Sequence, residues 1–185
     1  MKVTETTLPG VLLIEPVVFG DARGFFMESW HQEKYEKAGV PARFKQDNLS
    51  FSQKGVLRGM HFQNPGTQGK LVSVLKGEVF DVAVDVRVGS PHFGKWVGYL
   101  LSAENKHQLY VPEGFAHGFI VTSDDALFQY KCTDLYQPQH ECSLKWDDPD
   151  VGIVWPKNVT PALSKKDLEG LRLKDIPHEK LPRFS

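Results

Sequence analysis

Apolar and β-branched residues recur along the chain in runs of four to nine, separated by Gly, Pro, Asn and Asp. The runs are Val11 to Phe19, Phe44 to Phe51, Val56 to Phe62, Leu71 to Lys76, Val79 to Arg87, Trp96 to Leu101, Gln108 to Val111, Phe119 to Thr122 and Ala126 to Lys131. Short strands at this spacing predict an all-β sandwich or barrel. Gly77-Glu78 reads as a tight turn, so Leu71 to Arg87 forms a β-hairpin. In its second arm Phe80, Val82, Val84 and Val86 alternate with Asp81, Ala83, Asp85 and Arg87. A period of two predicts one packed face and one polar face. Helical signal is confined to about Gln32 to Ala38, stopped by Gly39, and to a short turn near Ser164 to Leu171. From Asp147 onward the chain is rich in Pro, Lys and Asp and poor in strand signals. The expected organisation is one domain over residues 1–185, with a jelly-roll core at about 8–145 and a C-terminal wrap at about 146–185.

Composition narrows the possible roles. A chain of 185 residues that is 41% hydrophobic and 11% aromatic can fill a core, which excludes general disorder. With 22 Lys and Arg against 23 Asp and Glu the net charge is −1, and no basic block occurs. A general nucleic-acid partner is therefore excluded, while a local basic pocket for one small anion stays open. Val11 to Ile14, the longest apolar run, is far short of the roughly 20 residues of a membrane-spanning helix. MKVTETTLPG has no signal-peptide core, so the expectation is a cytoplasmic protein without a membrane partner. Cys132 and Cys142 are expected as free thiols, too few for a disulfide framework or a four-cysteine zinc site.

Two motifs invite a chemical reading. Gly66-Thr67-Gln68-Gly69-Lys70 fails as a nucleotide-binding P-loop: two residues separate the glycines, and Leu71 stands where a magnesium-holding Ser or Thr is needed. It reads better as a loop delivering Lys70 to a strand. RGMH at Arg58 to His61, followed by PEGFAH at Pro112 to His117, has the two-part spacing of the cupin β-barrels, in which both segments border one cavity. Metal-binding cupins add a second His and a Glu in the first segment; here Gln63, Pro65, Thr67 and Gln68 occupy that region. Two imidazoles make a poor transition-metal site, so no metal is expected. His61, His117, Lys70, Arg58 and Tyr130 at a barrel mouth suit proton transfer beside a carbonyl. Each also has an ordinary explanation, a histidine as a satisfied polar group and Tyr130 as a favoured strand residue. Asp167, three residues after Ser164, is equally readable as half of a helix capping box.

The stretches VFGDARGFFMESW, QDNLSFSQKGVLRGMHFQ, QGKLVSVLKGEVFDVAVDVR, GSPHFGKWVGYLLSAENKHQLYVPEGFAHGF, YKCTDLY, WDDPDVGIVWP and LSKKD, taken in order from about Leu8 to Leu171, resemble the dTDP-4-dehydrorhamnose 3,5-epimerase family. The resemblance implies a homodimeric cupin-type jelly-roll isomerase that needs no cofactor. It would invert carbons 3 and 5 of dTDP-4-dehydro-6-deoxyglucose for rhamnose biosynthesis. Both carbons flank the carbon-4 ketone, so each proton can leave to give an enolate. By matched motifs, His61 is implied as the base, Asp167 as the carboxylate that orients it, Tyr130 as the acid on the other face and Lys70 as the cation beside the enolate oxygen. Arg23, Glu28, Gln46, Asp47, Asn48, Arg58, His117, Glu141 and Lys166 match substrate-contacting positions. Met60 replaces the commoner Leu of that motif, a volume-conserving change. Side-chain contact from Asp47 is the least specified, because smaller or apolar residues also occur there.

On composition alone Arg23 and Glu28 would be a solvated surface pair, and Phe25, Phe26 and Trp30 read as core more readily than as a base-stacking set. A relative that inverts carbon 3 only, or a non-catalytic nucleotide-sugar binding module, would carry much of the same pattern. Parity raises one structural demand. Arg58 and His61 are three apart, and a regular strand would aim them at opposite faces. A bulge at Gly59 is predicted to bring both to one side.

Overall fold

The computed structural model describes residues 1–41 and 43–184. In chain order the elements are β1 (Lys2–Glu5), β2 (Leu12–Glu15), β3 (Val18–Asp21), β4 (Gly24–Met27), α1 (Gln32–Lys37), β5 (Gln46–Gln53), β6 (Val56–Gln63), β7 (Lys70–Lys76), β8 (Glu78–Asp85), β9 (Trp96–Ser102), β10 (Gln108–Val111), β11 (Phe115–Val121), β12 (Asp125–Cys132), β13 (Glu141–Ser143), β14 (Ala162–Leu163) and α2 (Lys165–Leu168). One sheet runs β1-β2-β10-β7-β12-β5, and the other runs β13-β6-β11-β8-β9 with β14 beside β6. They lie face to face. Val72, Val74, Leu109, Val111, Ala126 and Phe128 from the first meet Val79, Ala83, Val97, Leu101, Phe115, Phe119 and Val121 from the second in one core. The all-β jelly-roll expectation holds, with the sheets left open as a sandwich and not hydrogen-bonded into a closed cylinder. The hairpin expected from Leu71 to Arg87 does not form: β7 pairs with β10 and β12 and β8 with β11 and β9, so the turn at Gly77 carries the chain from one sheet to the other.

Alternation in β8 is as regular as its sequence, but both faces are covered. Phe80, Val82, Val84 and Val86 point away from the other sheet and pack beneath Val151, Leu173, Ile176 and Leu181 of the C-terminal segment. Val79, Asp81 and Ala83 face the interior of the sandwich, where Asp81 is fully buried. Asp81, on the face expected to be polar and unpacked, is therefore in the interior, and both faces are packed. The C-terminal residues supply the apolar cover, which is why the strand carries hydrophobic side chains on its outer side.

The run Val11 to Phe19, read as one strand, is two: β2 joins the first sheet, and β3, among the described residues, pairs with β4 alone. On this hairpin Phe19, Phe25 and Phe26 are 62%, 61% and 67% exposed, which corrects the core reading of Phe25 and Phe26. Trp30 does join a core, with its ring 4.6 Å from Tyr35 and 4.8 Å from Phe44. Helix α1 places buried Tyr35 in the same cluster and stops where Gly39 takes φ +90°, as its sequence indicates.

The predicted bulge is present. His117 pairs with His61 and Phe119 with Arg58, so three steps along β6 match two along β11. Gly59 (φ +125°) and Gly118 allow this close crossing, because a Cβ on Gly59 would sit 2.6 Å from the Gly118 Cα and 2.8 Å from the His117 carbonyl oxygen. Gly59→Ala is expected to cost roughly 2–4 kcal/mol, from an unfavourable φ and a backbone clash together. Thermal or urea unfolding of the variant measures this; stability equal to the parent would mean that the crossing relaxes freely.

Candidate active site

At one end of the sandwich the interior side chains change from apolar to polar and leave a cavity of about 440 Å³. The second sheet supplies Arg58, His61 and Gln63 from β6, His117 from β11 and Glu141 from β13, and the first supplies Gln46, Asn48 and Ser50 from β5, Lys70 from β7 and Tyr130 from β12. Ser164, Lys166 and Asp167 close one side from α2 and its N-cap. The floor is aromatic, with Phe119 and Phe128 stacked across the two sheets at 4.1 Å.

His61 is held by its Nε2, 2.7 Å from Asp167 Oδ1. Its Nδ1 lies on the side of Glu141, 3.9 Å from Oε1. The two readings of Asp167 prove compatible, because different atoms serve them. The Asp167 backbone N–H donates to Ser164 Oγ at the helix start, while the carboxylate accepts from the Ser164 hydroxyl (2.6 Å), the Gly59 N–H (3.3 Å) and the imidazole. Burial alone would raise this carboxyl's pKa, but the hydrogen bonds from His61 and Ser164, the charge on His61 and the Gly59 N–H outweigh it and take the value down to about 2. Asp167 is thus an anion throughout the physiological range.

Lys70 is 8% exposed, its ammonium unpaired by any salt bridge among the described residues. Burial pulls its pKa down, while Cys132, Glu141 and Asp81 pull it back up. An unpaired ammonium beside a cavity is a ready electrostatic partner for developing negative charge. Tyr130 is pushed in the opposite direction: burial, with help from Cys132 and Glu141, raises its phenol against the pull of Arg58. It therefore keeps its proton at neutral pH.

The remaining polar groups form a linked wall. Glu141 Oε2 accepts from Lys166 Nζ (2.6 Å) and from the Tyr136 hydroxyl (2.7 Å). These bonds, with the charges on His61 and Lys166, hold its carboxyl below the usual range despite burial. Gln46 Oε1 accepts from the Tyr136 N–H and its amide donates to Asn48, while Arg58 Nε donates to Ser52 Oγ. Gln63 occupies the region where metal cupins carry ligands. Its side chain is spent on backbone: the amide donates to the Gly66 and Leu135 carbonyls, and the oxygen accepts from the Gln137 N–H. No group of three or more His, Cys, Asp and Glu among the described residues could hold a metal.

Most residues singled out from sequence thus share one cavity: His61, Tyr130, Asp167, Lys70, Gln46, Asn48, Arg58, His117, Glu141 and Lys166. Arg23, Glu28 and Asp47 do not. Arg23 is exposed beside the β3–β4 turn and bonds Asp21, Glu28 pairs with Lys34 at a separate hollow, and Asp47 pairs with Lys131 on the outer side of β12. Among the residues that escaped the sequence reading are Tyr136, which lines the cavity, and Asp81, which bonds His117 from behind it. Tyr136 is the last residue of the YKCTDLY stretch; Asp81, an acid inside an apolar alternation, reads from sequence only as part of the polar face of its strand. An acidic residue flanked by Phe80 and Val82 was the available signal.

The comparisons with known proteins agree with this geometry. The model of the dTDP-4-dehydrorhamnose 3,5-epimerase family matches residues 5–175. The chain belongs to that family. It is 55% identical over 176 residues to the dTDP-4-dehydrorhamnose 3,5-epimerase of Pseudomonas aeruginosa, covering 95% of this chain and 97% of the relative. The structure of a Legionella pneumophila dTDP-6-deoxy-D-glucose-3,5-epimerase, in complex with dTDP-4-keto-L-rhamnose, superposes with a TM-score of 0.97 at 54% identity, covering 100% of this chain and 98% of that one. ChmJ, a 3'-monoepimerase from Streptomyces bikiniensis in complex with dTDP-quinovose, gives 0.91 at 35% identity, covering 97% and 92%. The activity is that of a dTDP-4-dehydrorhamnose 3,5-epimerase, an isomerase that inverts carbons 3 and 5 of the dTDP-4-keto-6-deoxy sugar. No helix of the epimerase, among the described residues, is long and apolar enough to cross a membrane.

Because the folded-state pKa of Asp167 lies below its ordinary value of 3.8, its stabilising contribution is complete above about pH 4 and is lost as pH falls towards 2. Asp167→Asn should lower stability by an amount on the order of 2 kcal/mol at pH 7, with the difference from the parent shrinking towards pH 2. Urea unfolding at a series of pH values checks this; a difference that does not depend on pH would mean that the carboxylate's charge contributes nothing.

Proposed function

We propose that His61 removes the proton beside the carbon-4 ketone, that Asp167 orients the ring and stabilises its charged form, and that Tyr130 returns a proton from the opposite side. Lys70 is the cation that takes up the charge on the enolate oxygen. The observation that carries this reading is the origin of the two proton-handling groups: His61 stands on the second sheet and Tyr130 on the first, both lining one cavity. Epimerisation requires removal from one face and return to the other. A sugar ring seated between two facing sheets meets that requirement without turning over, and a base and an acid on the same side of the ring would not meet it.

Arg58, Lys166 and His117 offer positive or donor groups to the pyrophosphate and sugar, with Gln46, Asn48 and Glu141 as polar partners of the nucleotide. The bound dTDP sugars of the Legionella and ChmJ structures support this class of ligand. Arg23, Glu28 and Asp47 lie outside the cavity of their own chain, so the reading that they contact nucleotide needs a second protomer. A homodimer is supported by the exposed aromatic hairpin and by Leu49, Phe51 and Leu75, exposed on the first sheet. The reading further takes residues 1–185 as one domain, with the core at about 8–145 and the wrap at about 146–185, working in the cytoplasm.

Turnover in deuterium oxide tests the reaction. The product should carry label at carbon 3 and carbon 5, and turnover should survive exhaustive dialysis against a chelator; label at carbon 3 alone would reduce the activity to a 3-epimerisation. His61→Asn should lower kcat by about 100- to 10,000-fold, as expected for loss of a general base. Turnover left intact in that variant would remove His61 from the chemistry.

A further inference from the structure

Behind His61 lies a second histidine and carboxylate pair, set deeper in the sandwich. His117 pairs with His61 across β6 and β11, and its Nε2 lies 2.9 and 3.0 Å from the two carboxylate oxygens of Asp81. Asp81 is on β8 opposite Phe119, which puts it one step along the same interior face from His117. It is 0% exposed and His117 is 6% exposed. The imidazole is stacked against Phe128 from the facing sheet, with ring centroids 6.2 Å apart and planes 18° from parallel. These contacts leave Nδ1 as the ring nitrogen with no hydrogen-bond partner among the described residues, in a side chain that lines the cavity.

The energetics single out this arrangement. A carboxylate brought wholly out of water loses several kcal/mol of hydration, and an apolar residue of similar volume would serve packing at least as well. Its neighbours along β8 on the interior face, Val79 and Ala83, are apolar. The carboxylate makes hydrogen bonds to His117 alone, and the charge acting on it from the facing sheet is that of Lys70. Its desolvation is tolerated for the sake of one imidazole. A carboxylate on Nε2 also fixes which nitrogen carries the proton, because the tautomer with Nε2 bare would face two acceptor oxygens.

We propose that Asp81 is a positioning residue of the epimerase: it locks the His117 ring with Nε2 protonated and Nδ1 turned to the substrate, across the cavity from Lys70. Asp81 touches no substrate and acts through His117. The inference rests on the reading of His117 as a substrate contact. It gives two of the site's acids different tasks, Asp167 serving the base and Asp81 serving the recognition of the sugar from the floor of the cavity. Together with Lys70, His117 then brackets an oxygen of the keto sugar with one donor or acceptor of fixed direction and one mobile cation.

The test is a double-mutant cycle on the full-length protein, with the dTDP-4-keto sugar as substrate. Asp81→Asn keeps the volume and one acceptor oxygen but lacks the charge. It should reduce kcat/KM roughly 10- to 100-fold, the range for outer carboxylates that orient functional imidazoles, with the thermal midpoint held near the parent's. His117→Asn combined with Asp81→Asn should be no slower than His117→Asn alone, because two residues acting through one contact do not add. Losses that multiply in the double variant, or an Asp81→Asn protein with parental kcat/KM, would overturn the proposal. Nitrogen-15 spectra of the histidine rings in the unmodified protein provide a check independent of variant folding: His117 should carry its proton on Nε2, and an Nδ1-protonated neutral ring would equally overturn it. His61→Asn assayed alongside separates the two claims, since its loss of turnover tests the base whatever Asp81 does.

Discussion

A single hydrogen bond, His61 Nε2 to Asp167 Oδ1, joins positions 106 residues apart and ties the C-terminal segment to the reacting end of the sandwich. Each partner depends on a separate piece of folding. His61 faces the cavity only because the strand gains a residue at Gly59, where two glycines let β6 and β11 cross with no room for a Cβ. Asp167 faces it only because Ser164 caps a one-turn helix and holds the carboxylate between the hydroxyl and the Gly59 N–H. The acid, the imidazole and the bulge are therefore one unit. The same glycine that resets the strand also donates to the carboxylate that fixes the ring.

The wider architecture solves a problem of charge. A cavity that must hold a pyrophosphate and stabilise an enolate needs positive groups partly removed from water, where attraction is strong but desolvation is costly. The sandwich places apolar side chains over most of the interior and concentrates its polar ones at one end, so the cost is confined to a few paired groups. Asp167, Glu141 and Asp81 each answer a nearby cation or imidazole: His61, Lys166 and His117. Lys70 is the exception, buried with no carboxylate in contact among the described residues. That is the condition under which a cation is available to a substrate.

Strand positions, the α1 stop at Gly39 and the gathering of both histidine segments on one cavity were legible in the sequence, because period-two alternation and glycine punctuation are local signals. The Gly59 bulge was legible for the same reason: two residues expected on one side stood an odd number apart. What alternation cannot specify is which face of a strand is inside. In β8 the apolar face is the outer one, covered by a segment about 70 to 100 residues downstream, and the face carrying Asp81 looks inward. The exposed aromatics of β3 and β4 were hidden for a related reason. Phe25 and Phe26 have the composition of a core, and only the tertiary structure shows that the described residues leave them largely exposed. Arg23, Glu28 and Asp47 fall outside the cavity, and nothing local in the sequence marks that position, because a motif match does not specify where in the fold a side chain ends up.

The central claim is that a base on one sheet and an acid on the other act on opposite faces of the same ring. Exchange measured in Tyr130→Phe tests it most directly. With the acid removed and His61 intact, the keto sugar incubated in deuterium oxide should take up label beside the ketone while keeping its original configuration, since the proton can return only from the side that removed it. Inversion at close to the parental rate in that variant would contradict the two-sided account.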